Sequence, residues 1–192
     1  MTSMRLALVA AVIAVAGLGV ARADDAPRQA RAAIEKVIDA AQRAGADERG
    51  RAALRGGIDI DAIAELILGQ KWVGAAARDK DLFREALFAS LAYDVSRRIG
   101  RQSAELKVEG WRKLSNGDGL AATRILLEGQ RPRSVDWRLR GNATPRVIDI
   151  TVDGYSMVAA AREEFVGWLN QNGGSLGELA GLLRSRIPQG SF

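Results

Sequence analysis

The segment Val135–Leu169, VDWRLRGNATPRVIDITVDGYSMVAAAREEFVGWL, decides the fold, because two alternating strands run there into one amphipathic helix. In the first strand Val135, Trp137 and Leu139 share one face, while Ser134, Asp136, Arg138 and Arg140 share the other, the period-two pattern of a half-buried strand. In the second, Ile148, Ile150 and Val152 point one way and Val147, Asp149 and Thr151 the other. The GNATP between them is rich in turn formers and predicts an antiparallel hairpin. After Gly154 the period changes to about 3.6, so that Tyr155, Val158, Phe165, Trp168 and Leu169 lie along one side of a helix, opposite Arg162, Glu163 and Asn170.

Upstream of this corner the chain is helical and then β. Ala30, Ile34, Val37, Ile38 and Ala41 recur at helical spacing over 27–44, with Gly45 as a stop. A short helix is expected over 47–54, before Gly56-Gly57. The next is capped by Asp59 or Asp61 and runs to Gly69, and a helical turn follows at Trp72 and Val73. The longest helix spans 79–99, with Leu82, Phe83, Ala86, Leu87, Ser90, Leu91 and Val95 on one side and Asp94 as the polar exception. Past Gly100, 106–114 and 120–128 flank SNGDG, a strong hairpin signal because Asn-Gly and Asp-Gly supply the positive φ angles of a tight turn. After the long C-terminal helix, Gly173-Gly174 breaks the chain before a last helix over 175–187. The order predicts an α+β fold: N-terminal helices, a four-stranded antiparallel sheet, and C-terminal helices covering one face of that sheet.

Composition narrows the chemistry. With 192 residues, 47% of them hydrophobic, the chain is long enough for a single domain with a sizeable core. Residues 1–23 read as a cleaved secretory signal: a short positive start through Arg5, an uncharged apolar run from Leu6 to Val20, and Ala21-Arg22-Ala23 as the cleavage pattern. That run falls short of the roughly 20 residues a membrane-spanning helix needs. The expected mature protein, 24–192, is one exported domain. Net charge falls from +5 to +3 once Arg5 and Arg22 depart, leaving 26 basic against 23 acidic residues. This mild excess suits anionic headgroups or an acidic partner as well as it suits an Arg-rich background, and no nucleic-acid motif accompanies it. The sequence contains neither cysteine nor histidine. Disulfides, Ser-His-Asp and Cys-His nucleophilic chemistry and ordinary zinc sites are thereby excluded.

The run VIDITVDGYSMVAAAREEF resembles the C-terminal signature of the toluene-tolerance, or MlaC-type, family of periplasmic lipid-binding proteins. The positions that match are Val147, Asp149, Asp153, Gly154, Ser156, Arg162 and Phe165. A second match, IDAIAELILGQKW, carries Leu68, Gly69 and Trp72 and is followed by FREALFASLAYDV. Together the similarity covers roughly 28–187. The chain departs from the pattern at Pro145, where the family usually has Trp, whose packing must be met elsewhere, by Trp111 or Trp137. The hopanoid-associated HpnM branch fits about equally well. The resemblance implies a helix-and-sheet domain enclosing an elongated apolar cavity, with no cofactor beyond the bound lipid. It also implies partners at both membranes: an inner-membrane ABC-type lipid transporter complex and an outer-membrane lipoprotein complex.

A carrier has a clear physical task. At ~0.8 kcal/mol per methylene, a sixteen-carbon chain costs about 12 kcal/mol to expose to water, so a lipid crosses an aqueous space only if an apolar site travels with it. Candidate lining residues are Leu87, Leu91, Trp137, Leu139, Ile148, Ile150, Tyr155, Met157, Phe165 and Trp168. Taken singly, each is equally the mark of an ordinary core, and only the resemblance favours a lining. Gly154 permits a tight turn and Ser156 caps the following helix. Ser156 is no nucleophile, since Val158 stands where G-x-S-x-G needs glycine and histidine is absent. Asp149 reads as a buried general base or as a solvent-facing or salt-bridged carboxylate paired with Arg162. Arg138, Arg140 and Arg146 read as a phosphate-attracting cluster or as a solvated strand face. The expectation is a periplasmic phospholipid or hopanoid carrier without catalytic residues or metal. The alternative is a small periplasmic enzyme using Asp94 or Asp149 on an apolar substrate.

Overall fold

The computed structural model describes residues 25–44, 47–99, 104–127 and 129–188; the signal segment expected over 1–23 lies outside them. Among the described residues the elements run α1 (Asp25–Ala44), α2 (Glu48–Gly57), α3 (Ile60–Leu68), α4 (Gln70–Val73), α5 (Ala77–Ile99), β1 (Ala104–Lys113), β2 (Gly119–Leu127), β3 (Arg133–Arg140), β4 (Arg146–Val152), β5 (Tyr155–Ser156), α6 (Met157–Asn172) and α7 (Leu176–Ser185). The strands form one antiparallel meander in the order β1-β2-β3-β4-β5. No described helix is long and apolar enough to cross a membrane. The α+β order is as expected, but the sheet has five strands rather than four. Asp153 (φ 49°) and Gly154 (φ 88°) turn the chain back so that Tyr155 pairs with Val152 and Ser156 with Thr151. Two successive positive φ angles are the signature of a type I′ hairpin turn, and helix α6 therefore starts at Met157, not Tyr155.

One face of the sheet meets the helices. Ala121, Thr123, Val135, Trp137, Leu139, Val147 and Ile148 are buried there. The strict alternation expected for β4 fails at its start, because a register shift between Arg138 and Leu139 sets Leu139 opposite Val147. This bulge turns Val147 inward beside Ile148, and both are buried. Buried Trp137 donates from its indole N–H to Thr123 Oγ1 at 3.0 Å, and Thr123 donates to the Val135 carbonyl at 2.7 Å. The inner face thus carries no orphaned polar group at that point. Trp111 lies across Gly119, where an added methyl would stand 1.8 Å from the indole.

The helical layer is knit by close approaches. Gly50 brings α2 onto α1, with a hypothetical Cβ only 2.4 Å from the backbone carbonyl carbon of Arg43. Phe83 on α5 stacks at 6.2 Å with Trp72 of α4 and, edge to face, at 6.2 Å with Phe165 of α6. Arg55 reaches from α2 to pair with Glu85 on α5 while covering the Phe88 ring at 4.0 Å.

Candidate functional site

The two separated motifs of the sequence meet at one corner. At the start of α6, Ser156 Oγ accepts from Ala159 N–H as an N-cap and donates to Asp149 Oδ2 at 2.7 Å. Asp149 Oδ1 accepts from Val158 N–H at 3.1 Å and from Ile150 N–H at 2.8 Å. A carboxylate on β4 therefore satisfies the amides and positive dipole of the α6 N-terminus. The expected Asp149–Arg162 pair is not formed. Arg162, two turns into α6 from Ser156, instead donates from Nη1 to the Leu66 carbonyl at 3.1 Å, bracing the last turn of α3. Beside it Gly69 adopts φ 54°, ψ −125°, a conformation open to glycine and strained for other residues. Its N–H closes α3 on the Glu65 carbonyl.

The arginines of the sheet are not a free phosphate cluster. Asp118, buried at the end of the β1–β2 turn, accepts from Arg138 Nε at 2.9 Å, Arg140 Nε at 3.0 Å and Asn116 Nδ2 at 2.8 Å. Burial opposes its charge, but the hydrogen bonds from Arg140, Arg138 and Asn116 outweigh that and hold the carboxyl below the usual aspartate range. Arg140 is correspondingly raised, chiefly by its hydrogen bond to Asp118. Arg146 is bound to Asp59 at 2.6 Å. The three side chains keep 27%, 40% and 49% of their surface in solvent, as on a solvated strand face, but each is ion-paired and two guanidiniums share one carboxylate.

The ten apolar candidates fall into three groups. Leu87, Trp137, Leu139, Ile148 and Phe165 are buried against protein; Leu91, Ile150 and Trp168 are half-buried; Tyr155 and Met157 are 80% and 42% exposed. Tyr155 lies outside because it belongs to the two-residue edge strand and not to the apolar side of α6. Further half-buried residues were not among the lining candidates. These are Leu106, Trp111, Ile125 and Val152 on the sheet, Val95 on α5, and Val158 and Ala161 on α6. Their alternation was legible, but incomplete burial is a property of packing. Asp94 is exposed, so the polar exception on α5 faces solvent. Among the described residues no three His, Cys, Asp or Glu side chains gather as a metal site.

Among the described residues, four of the clefts open on the helical side. The one bounded by Glu65, Leu66, Gly69, Gln70, Val73, Arg140 and Arg162 has a volume of about 290 Å³ and joins α3, α4, α6 and the end of β3. Others lie between α6 and α7, lined by Phe165 and Trp168, between α2 and α5 over Phe88, and beside α4 and α7. Trp137, Leu139, Ile148 and Ile150 line none of the four. The centre of the sheet–helix interface is filled by Trp137, Leu139, Val147 and Ile148, and half-buried apolar side chains pack around it.

Comparison with known proteins places these features. The family model described as MlaC protein matches residues 24–185. Among solved structures, the fold is similar to that of a phospholipid-binding protein from Ralstonia solanacearum determined in complex with a phospholipid. The TM-score is 0.69 at 16% identity, covering 84% of this chain and 96% of that one. No curated protein matches the sequence.

Proposed function

We propose, from the premise that this chain belongs to the MlaC protein family, that it is a periplasmic carrier that shields phospholipid acyl chains and has no catalytic role. The observation that carries this reading is the incomplete closure of the apolar face. Leu106, Trp111, Ile125, Ile150 and Val152 on the sheet remain half-buried, as do Leu91 and Val95 on α5 and Val158 and Ala161 on α6. Apolar surface left in water costs about 25 cal/mol per Å². A hydrocarbon tail laid along this margin covers both layers at once and loses its own contact with water. The lipid held by the Ralstonia structure supports the same reading. The lipid is exchanged with an inner-membrane ABC-type transporter complex and an outer-membrane lipoprotein complex, and a polycyclic hopanoid is the other guest such a margin accommodates.

Against the enzyme, Asp149 is engaged by the Ser156 hydroxyl and the Val158 amide at the helix terminus and by the Ile150 amide on β4, and Asp94 faces solvent. Neither is a carboxylate waiting in an apolar cleft. The carrier reading is tested by transfer of fluorescent phospholipid between donor and acceptor vesicles. Transfer should accelerate in proportion to the mature protein added, and Leu91→Trp, which fills the margin from α5, should slow it several-fold with little change in melting temperature. A wild-type protein that leaves the spontaneous rate unchanged contradicts the proposal.

A further inference from the structure

The cleft between α3, α4 and α6 has a charge arrangement that the ion pairs around it do not consume. Arg162 donates one hydrogen bond, to the uncharged Leu66 carbonyl, and no described carboxylate lies within ion-pair distance of it, whereas Arg138, Arg140, Arg146 and Arg186 all have one. Arg140 lines the same cleft but is held by Asp118, which it shares with Arg138, and it also faces the negative charges of Asp59 and Glu65. Glu65 borders the cleft as its own carboxylate. The floor is partly apolar, with Leu66 half-buried and Val73 60% exposed on the rim. From Arg162 the half-buried Ala161 and Val158 lead back along α6 to β4, where the Val158 N–H is tied to Asp149 and Ile150 is also half-buried. Arg162, with no described carboxylate paired to it, thus stands next in the chain to the half-buried apolar side chains of α6.

We propose that this cleft seats the phosphate of a lipid headgroup, with Arg162 as its donor, while the tails follow the α6–β4 seam inward. A guanidinium with unengaged N–H groups presents a planar fork that matches phosphate oxygens. The inference rests on the carrier reading and deepens it by naming where the headgroup sits.

The test loads delipidated mature protein from phosphatidylglycerol vesicles and measures bound phosphorus, with the arginine Nε–Hε NMR signals as a site-resolved reporter. Wild type should load one lipid, Arg162→Gln should bind about tenfold more weakly, and Arg162→Lys should fall between. Because Arg162→Gln also removes the Leu66 brace, Val73→Asp is the companion variant: its exposed site tolerates the change, and an anion on the rim should weaken loading. Inorganic phosphate should shift the Arg162 signal in lipid-free protein and not in loaded protein. If wild type takes up no lipid, the carrier reading itself fails. If it loads while Arg162→Gln and Val73→Asp load equally well, the headgroup seat alone is overturned. Equal phosphate shifts in loaded and empty protein would make the cleft a site for free phosphate, and the headgroup assignment would fall.

Discussion

Asp149 fastens helix α6 to strand β4, accepting from Ser156 Oγ and Val158 N–H. Asp149→Ala is expected to lower the unfolding free energy by about 1–3 kcal/mol, read as a lower urea midpoint, while the protein that remains folded still binds lipid. An unchanged midpoint with abolished activity on a small substrate would instead restore the enzyme reading. Asp118 yields a pH prediction. Its folded carboxyl lies below the unfolded value of about 3.8, so between the two the unfolded chain binds more protons. The stabilisation is complete above the unfolded pKa and is lost as pH falls through the folded one. Urea titrations from about pH 6 to about pH 2 should show this acid loss, reduced in Asp118→Asn. At this scale the sequence disclosed which residues mattered better than what they touch. Ser156 was legible as a cap, because capping is local. The Asp149 and Arg162 partners were not, because each bond closes across a turn or between motifs far apart in the chain.

At the scale of elements, the α1–α2 pair depends on Gly50 and the β1–β2 pair on Gly119. A methyl at Gly50 meets the α1 backbone at 2.4 Å, which cannot rotate away, so Gly50→Ala should separate the helices and lower the melting temperature by several degrees. Gly119→Ala forces the Trp111 indole off the sheet and should change tryptophan fluorescence along with stability. The helices, the hairpin at SNGDG and the meander follow directly from periodicity and turn chemistry. Two features do not. The fifth strand is only two residues long, too short for any alternation to register. The bulge at Ile148 turns Val147 inward, which a period-two pattern places on the wrong face.

For the whole molecule, the issue is where a guest fits between two layers whose centre is already closed. Trp137, Leu139, Val147 and Ile148 are in contact with protein on all sides. Enlarging Leu139 should therefore disturb folding, whereas enlarging Leu91 or Ile150 at the half-buried margin should disturb loading. Sequence alone could not divide the apolar residues in this way, since hydrophobicity records what avoids water and not what fills the space. On the carrier proposal, a lipid completes the apolar face that the polypeptide leaves open. Native mass spectrometry of the protein purified from cells, with organic extraction of the same sample, is the measurement that decides this. A stoichiometric adduct of phospholipid or hopanoid mass is expected, with the same lipid in the extract; polypeptide mass alone, with a lipid-free extract and no uptake from vesicles, would overturn the carrier proposal.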